Sequence, residues 1–182
     1  MDPLRQKKEE NIAGYVISMW HIEDLMRAAD LDMAKVEEAL IAPIDADGEA
    51  RAEIRAWYAD IAERMRVEGI QRVGHLSEVE EVLNELEFLH RSLVEVLNDE
   101  EYDALYAKAE PGILALQQHA GGDPAGTIET CFTAIYGVML LRAQDREVSA
   151  DTLEAEGHIR RLLERLSQHY RQMRRLPGVS MN

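Results

Sequence analysis

Few residues in this chain cross-link or interrupt a fold. A single cysteine, Cys131, excludes an internal disulfide framework and any multi-cysteine zinc site, and it favours a reducing compartment. Five prolines and eleven glycines leave long stretches uninterrupted, and these are rich in Ala, Leu, Glu and Arg, which are strong helix formers. Because there is also no alternating strand pattern, no fixed-period repeat and no low-complexity tract, the sequence predicts an all-α protein.

Long hydrophobic runs are missing as well. No apolar stretch approaches the roughly 18 residues that a membrane-spanning helix needs. The N-terminal residues MDPLRQKKEEN lack the apolar core of a secretory signal peptide. We therefore expect a soluble, cytoplasmic protein with no membrane partner.

Positive charge is in short supply. The chain has 20 Lys and Arg against 35 Asp and Glu, which gives a formal net charge of −15. Proteins that bind nucleic acids need a net or clustered positive field to hold the phosphates. The charge balance therefore argues against a nucleic-acid partner.

Apolar residues at helical spacing divide the chain into seven predicted helices. The helices cover residues 4–29, 32–41, 49–68, 75 or 77 to 97, 100–119, about 125–146 and 150–173. The sixth is apolar almost all round from Thr130 to Leu141, as is typical of a central helix. Short loops favour an irregular antiparallel bundle, and we expect one domain over 1–182, with 1–4 and 174–182 loose.

Cap and break signals mark the later helices. Asn98 and Ser149 are the predicted N-caps of the fifth and seventh helices. Gly121-Gly122-Asp123-Pro124 is the clearest interruption, with Asp123 as a cap before proline at the first helical position. Pro111 is expected to kink or split the fifth helix.

One carboxylate interrupts the apolar face of the first helix. At 100° per residue, Glu23 lies near the middle of an apolar stripe about 120° wide. The stripe consists of Ile12, Tyr15, Val16, Met19, Ile22 and Met26, with Trp20 beside it. Since a buried, unpaired carboxylate costs several kcal/mol, the rest of the chain must supply Glu23 with a partner.

Arg142 is the first candidate partner of Glu23 and His90 is the second, because each interrupts an apolar stripe on its own helix. Arg142 shares a face with Ile135 and Val138. Glu23 and Arg142 could form a buried structural ion pair. Alternatively, Glu23, His90 and Arg142 could form a polar cleft, in which Glu23 acts as a base or binds a cation and Arg142 binds a carboxylate.

Other signals of catalysis or metal binding are weak. Glu87-Phe88-Leu89-His90 has the Glu-x-x-His spacing of ferritin-like sites, but those need a second copy that this sequence lacks. His75 precedes His90 by fifteen residues, or about 22 Å along one helix, so the two cannot share a metal ion there. We interpret His75 as a core or cap histidine, and we predict no catalytic residue, metal ion or cofactor.

A basic stripe distinguishes the last helix. Its members are Arg160, Arg161, Arg171, Arg174 and Arg175, which lie on or just beyond the outer face. A solvated helix face is the ordinary interpretation of such a stripe. On an otherwise acidic protein it could instead dock on an acidic surface of another subunit.

Short segments of distinctive sequence are spread along most of the chain. They are Asn11-Ile12-Ala13, Tyr15, Met19-Trp20, Ile22-Glu23-Asp24-Leu25, Arg27-Ala28, Trp57-Tyr58, Glu68-Gly69, Gly74-His75-Leu76, Leu89-His90, Ile128-Glu129-Thr130-Cys131-Phe132, Tyr136-Gly137-Val138 and Leu141-Arg142. In these segments the chain resembles an uncharacterised family of Bacteroidetes-type bacteria, domain of unknown function 4924. The resemblance implies a bacterial, cytoplasmic, all-helical protein and brings no assigned activity.

The leading hypothesis is a non-enzymatic interaction or scaffold module that acts as a homodimer. It depends on the amphipathic helices, the absence of catalytic groupings and the basic stripe of the last helix. The alternative is a small-ligand-binding protein or enzyme whose polar cleft is formed by Glu23, His90 and Arg142.

Overall fold

The computed structural model of the chain describes residues 3–119 and 125–175, and these residues contain eight α-helices and no strand. The all-α prediction is thus confirmed. The helices are α1 (Arg5–Glu10), α2 (Ile12–Ala28), α3 (Met33–Val36), α4 (Gly48–Val67), α5 (Ser77–Ser92), α6 (Glu100–His119), α7 (Thr127–Ala143) and α8 (Ala150–Arg174). Single π-helical turns continue α3 over Glu37–Ile41 and α5 over Leu93–Leu97.

The helices divide the chain into two compact units. The first unit comprises Met1–Glu10 and Gly14–Glu81, and the second comprises Asn11–Ala13 and Val82–Asn182. The single domain expected over 1–182 stays a prediction. The predicted interruption at 121–124, with its cap Asp123, lies outside the described residues, as do residues 1–2 and 176–182 of the ends that were expected to be loose. Arg174, at the start of the expected C-terminal tail, is the last residue of α8.

The first predicted helix is two helices, because the chain turns at Asn11. Lys7 Nζ on α1 donates to Ser18 Oγ on α2 at 2.9 Å, although these positions would lie about 16 Å apart along a straight helix. The Lys8 ammonium group also lies over the Tyr15 ring, 4.9 Å from its centroid. These contacts fold α1 back on α2 and explain why eight helices replace the predicted seven.

A glycine ends α4 where the sequence predicted. Gly69 has φ +74°, and its N–H donates to Arg66 O at 3.2 Å. Ile70 N–H donates to Met65 O at 3.0 Å, which completes a Schellman motif. The motif turns the chain sharply into the segment 70–76 that leads to α5.

In the second unit, α6, α7 and α8 pack against one another. Gly112 allows close approach of α6 to α8, because a Cβ there would lie 3.2 Å from the Ala155 Cβ. Pro111 does not split α6, which runs unbroken through it. The shared core is formed by Tyr102, Ala109, Ile113, Phe132, Ile135, Ile159, Leu162 and Leu166.

The caps of these helices differ in part from the predicted ones. Ser149 caps α8 as predicted, accepting from Thr152 N at 3.2 Å. The cap of α6 is Asp99 and not Asn98, since Asp99 Oδ1 accepts the Tyr102 N–H at 2.9 Å while Asn98 is left-handed. Gly126 occupies the N-cap position of α7. None of the described helices is long and apolar enough to cross a membrane.

Candidate functional site

Glu23 lies in the core of the first unit, on the inner face of α2. The predicted stripe is buried throughout, and Glu23 itself is 0% exposed. Trp20, three residues earlier and also buried, lies on the same side of the helix. This face of α2 therefore presents one carboxylate surrounded by apolar side chains.

The segment 70–76 between α4 and α5 supplies the partners of Glu23. His75 Nδ1–H donates to Glu23 Oε2 at 2.6 Å, and the backbone N–H of Leu76 donates to Glu23 Oε1 at 2.9 Å. The His75 ring stacks on the Trp20 indole, with centroids 4.4 Å apart and planes 8° apart. Both oxygens of the buried carboxylate are thus satisfied within the first unit.

Arg27 holds the same segment from one turn further along α2. Its guanidinium donates to Gly74 O, to Ile70 O at 3.4 Å and to Asp24 Oδ1 at 2.9 Å. Gly74 has φ +95°, a conformation that favours glycine. The segment 70–76 is therefore tied to α2 by two charged side chains and by one aromatic stack.

Glu23 and Glu68 together cap the N-terminus of α5. Glu23 accepts the N–H of Leu76, and Glu68 Oε2 accepts the N–H of Ser77 at 2.7 Å. The Ser77 hydroxyl also donates to Glu68, at 3.2 Å, so Ser77 binds a distant carboxylate. Two acidic groups at this end complement the dipole of α5.

The Glu23–His75 pair fixes the orientation of the imidazole ring. With Nδ1–H directed at Glu23, the neutral form of the ring has Nε2 as its acceptor, and the His75 side chain is 24% exposed. Such a pair orients a general base or a metal ligand when other groups are close by. Among the described residues, no group of three or more His, Cys, Asp and Glu side chains is placed to hold a metal ion. The hydrogen bonds therefore support a structural role for the pair in docking segment 70–76 on α2.

His90 is buried in the second unit, where it has a partner of its own. Its exposed fraction is 5%, its Nδ1 lies 2.8 Å from Tyr102 Oη, and its ring packs edge-on against Tyr106 at 4.8 Å. Burial lowers the pKa of His90 and raises that of Tyr102, so both groups are neutral near pH 7. Burial also raises the pKa of the Cys131 thiol, to about 12.

Glu87, the other half of the Glu-x-x-His spacing, caps a helix. Its Oε2 accepts the Ile128 N–H of α7 at 2.9 Å. Gly126 leaves room for this contact, because a Cβ there would lie 2.9 Å from Glu87 Oε2. Glu87 and His90 are thus used by different structural contacts within the second unit.

Arg142 is exposed, so the prediction that it lies in a buried stripe is wrong. Ile135 and Val138 of that stripe are buried as expected. Arg142, however, falls in the last turn of α7, which ends at Ala143, so the helix periodicity continues past the packed part. The structure therefore gives Glu23, His90 and Arg142 separate surroundings, and Glu23 has His75 and Leu76 as its partners.

The five arginines of the predicted stripe on α8 are all exposed. Arg160 pairs with Glu156, and Arg174 Nη1 lies 3.6 Å from Glu85 Oε2 and 3.0 Å from Tyr170 Oη. Tyr170 Oη also donates to Glu85, and burial raises the pKa of Tyr170 to about 12. Arg171 and Arg175 have no side-chain partner in the described part of the chain.

A groove of about 530 Å³ lies between α6, α7 and α8. Sequence reasoning missed it, together with Glu156, which is only 7% exposed although it lies in its wall. The sequence signal for Glu156 was its position two helical turns before Leu163, on the same side of α8. The groove lining is mainly apolar and includes Leu116, Ala134, Gly137, Leu141, Ala155 and Ile159.

The comparison with known proteins concerns nearly the whole chain. No curated protein and no solved structure was found to match it. The model of a family described as "Domain of unknown function (DUF4924)" matches residues 1–176. The chain therefore belongs to the DUF4924 family.

Proposed function

We propose that the protein is a non-enzymatic interaction module, located in the cytoplasm, that acts as a homodimer through one surface of the second unit. We call this the apolar–basic surface, and it consists of Phe88, Val96, Leu97, Arg171, Arg174 and Arg175. The observation that carries the proposal is the exposure of three large apolar side chains, Phe88, Val96 and Leu97, on α5 and the π-helical turn that continues it.

Contacts of α8 place its last turn beside Glu85 and its middle beside Glu101. Arg165 Nη2 on α8 lies 2.8 Å from Glu101 Oε2, four residues after Leu97. Further along α8, Arg174 lies 3.6 Å from Glu85, one turn before Phe88 on α5. From Arg165 to Arg174, α8 therefore runs antiparallel to the stretch from Glu85 to Glu101.

The composition of the surface is typical of a protein interface. Phe88 is 66% exposed, Val96 72% and Leu97 65%, so their apolar area has no cover within the described residues of the unit. Aromatic and arginine side chains are enriched at interface centres, where they supply much of the binding energy. Exposed apolar side chains near one another are a common mark of an association site.

A second copy of the chain fits the charges of this surface. The first turn of α6 follows Leu97 and carries the exposed acids Glu100 and Glu101. In an isologous dimer whose two-fold axis passes between the acidic and the basic part of the surface, these acids of one copy lie opposite Arg171 and Arg175 of the other. The overall charge of −15 likewise favours pairing through the basic part of the surface.

Sedimentation velocity at micromolar concentration tests the proposal. We expect a dimer, and we expect Phe88→Ser and Leu97→Ser to convert it to a folded monomer whose helical circular-dichroism signal is unchanged, since both side chains are exposed on the single chain. Val73→Ser is the matched control, because Val73 is 78% exposed in the first unit. A monomeric wild-type chain that recovers no partner in pull-downs contradicts the proposal, as does a dimer that survives both substitutions.

The alternative function, a ligand-binding or catalytic cleft of Glu23, His90 and Arg142, receives little support. Glu23 and His90 are each buried against partners of their own, and Arg142 is exposed on the last turn of α7. A shared substrate site would require at least one of the two buried groups to have a free polar atom facing a cleft.

A further inference from the structure

The groove in the second unit lies at the opposite end of α8 from the apolar–basic surface. Residues Asp151 to Ile159 of α8 form one wall, and α6 and α7 form the others. Its volume of about 530 Å³ lies within the range of sites for small organic molecules. The groove is therefore large enough for a ligand, and it is separate in the sequence from the residues proposed for self-association.

Gly137 contributes to the size of the groove. It lies inside α7, where glycine destabilises a helix relative to alanine. Its φ is not in the left-handed region, and a Cβ there would have no atom within 4 Å. Neither the backbone nor tight packing thus requires glycine at this position, and its missing side chain leaves space in the groove.

Among the Asp, Glu, Lys and Arg side chains of the lining only acidic ones occur, and the lining also includes the imidazole of His119, whose Nδ1 lies 2.6 Å from Ala115 O. Asp151 and Glu156 line the groove, whereas no Lys or Arg is present among its described lining residues. Glu156 Oε1 accepts from Arg160, whose side chain is 48% exposed. Asp151 is exposed and has no side-chain partner in the described parts of the chain. A ligand that carries a positive charge would match this wall, and an anion would be repelled by it.

We infer that the groove binds an organic cation with an apolar body, in the chemical class of arylalkyl and alkyl amines. The ammonium group lies against Asp151 and Glu156, and the apolar body lies over Gly137 and between Leu116 and Leu141. The inference goes beyond the proposed self-association and does not depend on it, because it uses other residues of the second unit.

Isothermal titration with three matched probes tests the inference: 4-phenylbutylamine, 4-phenyl-1-butanol and 4-phenylbutanoate. They share the same apolar body and differ in charge at neutral pH. We expect the amine to bind at least tenfold more tightly than the carboxylate, with the alcohol between them. Comparable binding of amine and carboxylate, or no binding of any probe, would overturn the inference.

Two kinds of variant separate the apolar and the charged parts of the site. Gly137→Leu should weaken the binding of the amine and of the alcohol at least tenfold, because the leucine side chain fills the groove. Gly157→Leu is its control, because a Cβ at Gly157 on α8 also meets no atom within 4 Å and this residue is not in the lining. Glu156→Gln and Asp151→Asn should lower the affinity of the amine towards that of the alcohol. The affinity of the alcohol should not change.

The exposed position of Asp151 keeps the test valid even if Glu156→Gln fails to fold. An amine affinity that is unaffected by Gly137→Leu would place any binding elsewhere and overturn the inference. Gly137→Leu could also convert a dimer to a monomer while the wild-type chain binds no probe. That result would identify a second copy as the occupant of the groove and would likewise overturn it.

Discussion

Two buried carboxylates, one in each unit, are compensated in different ways. Both oxygens of Glu23 accept hydrogen bonds, from His75 at 2.6 Å and from the backbone of Leu76 at 2.9 Å. Glu156 is nearly as buried, but the donor to its Oε1 is the half-exposed Arg160. A carboxylate bound by donors of a distant chain segment fixes that segment, whereas one bound by an exposed arginine of its own helix joins no second segment.

Substitution of Glu23 is expected to cause the largest loss of stability. Glu23→Ala should lower the free energy of unfolding by about 3–5 kcal/mol, because it removes the buried acceptor of His75 and of the Leu76 N–H. Urea denaturation followed by circular dichroism measures the change. Glu164→Ala, at an exposed position on α8, is the control and should stay within about 0.5 kcal/mol. A loss below about 1 kcal/mol at Glu23 would mean that water replaces the carboxylate, as is expected of surface pairs.

A smaller effect is expected at Glu156. Glu156→Ala should lower the free energy of unfolding by about 1 kcal/mol, because the half-exposed Arg160 that loses its partner can rotate towards the solvent. The same denaturation experiment measures it, with the exposed Glu154→Ala on α8 as the control. A loss in the free energy of unfolding as large as that of Glu23→Ala would show that the two carboxylates contribute equally to stability.

The smallest effect is expected at Arg142. Since its side chain is exposed, Arg142→Met should change the free energy of unfolding by no more than about 0.5 kcal/mol. A buried partner of Glu23 would instead cost about 3–5 kcal/mol when removed. Thermal and urea denaturation of this variant therefore test directly whether Glu23 has the partner that the sequence suggested.

Sequence reasoning correctly identified the features that depend on neighbouring residues. Helix periodicity placed Glu23 in the buried face of α2, and Gly69 ended α4. Ser149 was recognised as a cap because its hydroxyl accepts a hydrogen bond within the next turn. Periodicity failed at Arg142, since it describes the direction of a side chain but not where the packing partners of that helix end.

The sequence by itself determined that Glu23 must have a partner, because an apolar helix face cannot bury an unpaired carboxylate without a large cost. Only the tertiary structure decided that the partner is His75, which is 52 residues away and is presented by a segment that turns at Gly69 and Gly74. Likewise, the composition showed an apolar sixth helix, but only the packing of α6 and α8 around α7 left Gly137 in an open groove. The physical reason is the same in both cases: local pattern fixes which side chains are buried together on one element, and the path of the chain through space fixes what they meet.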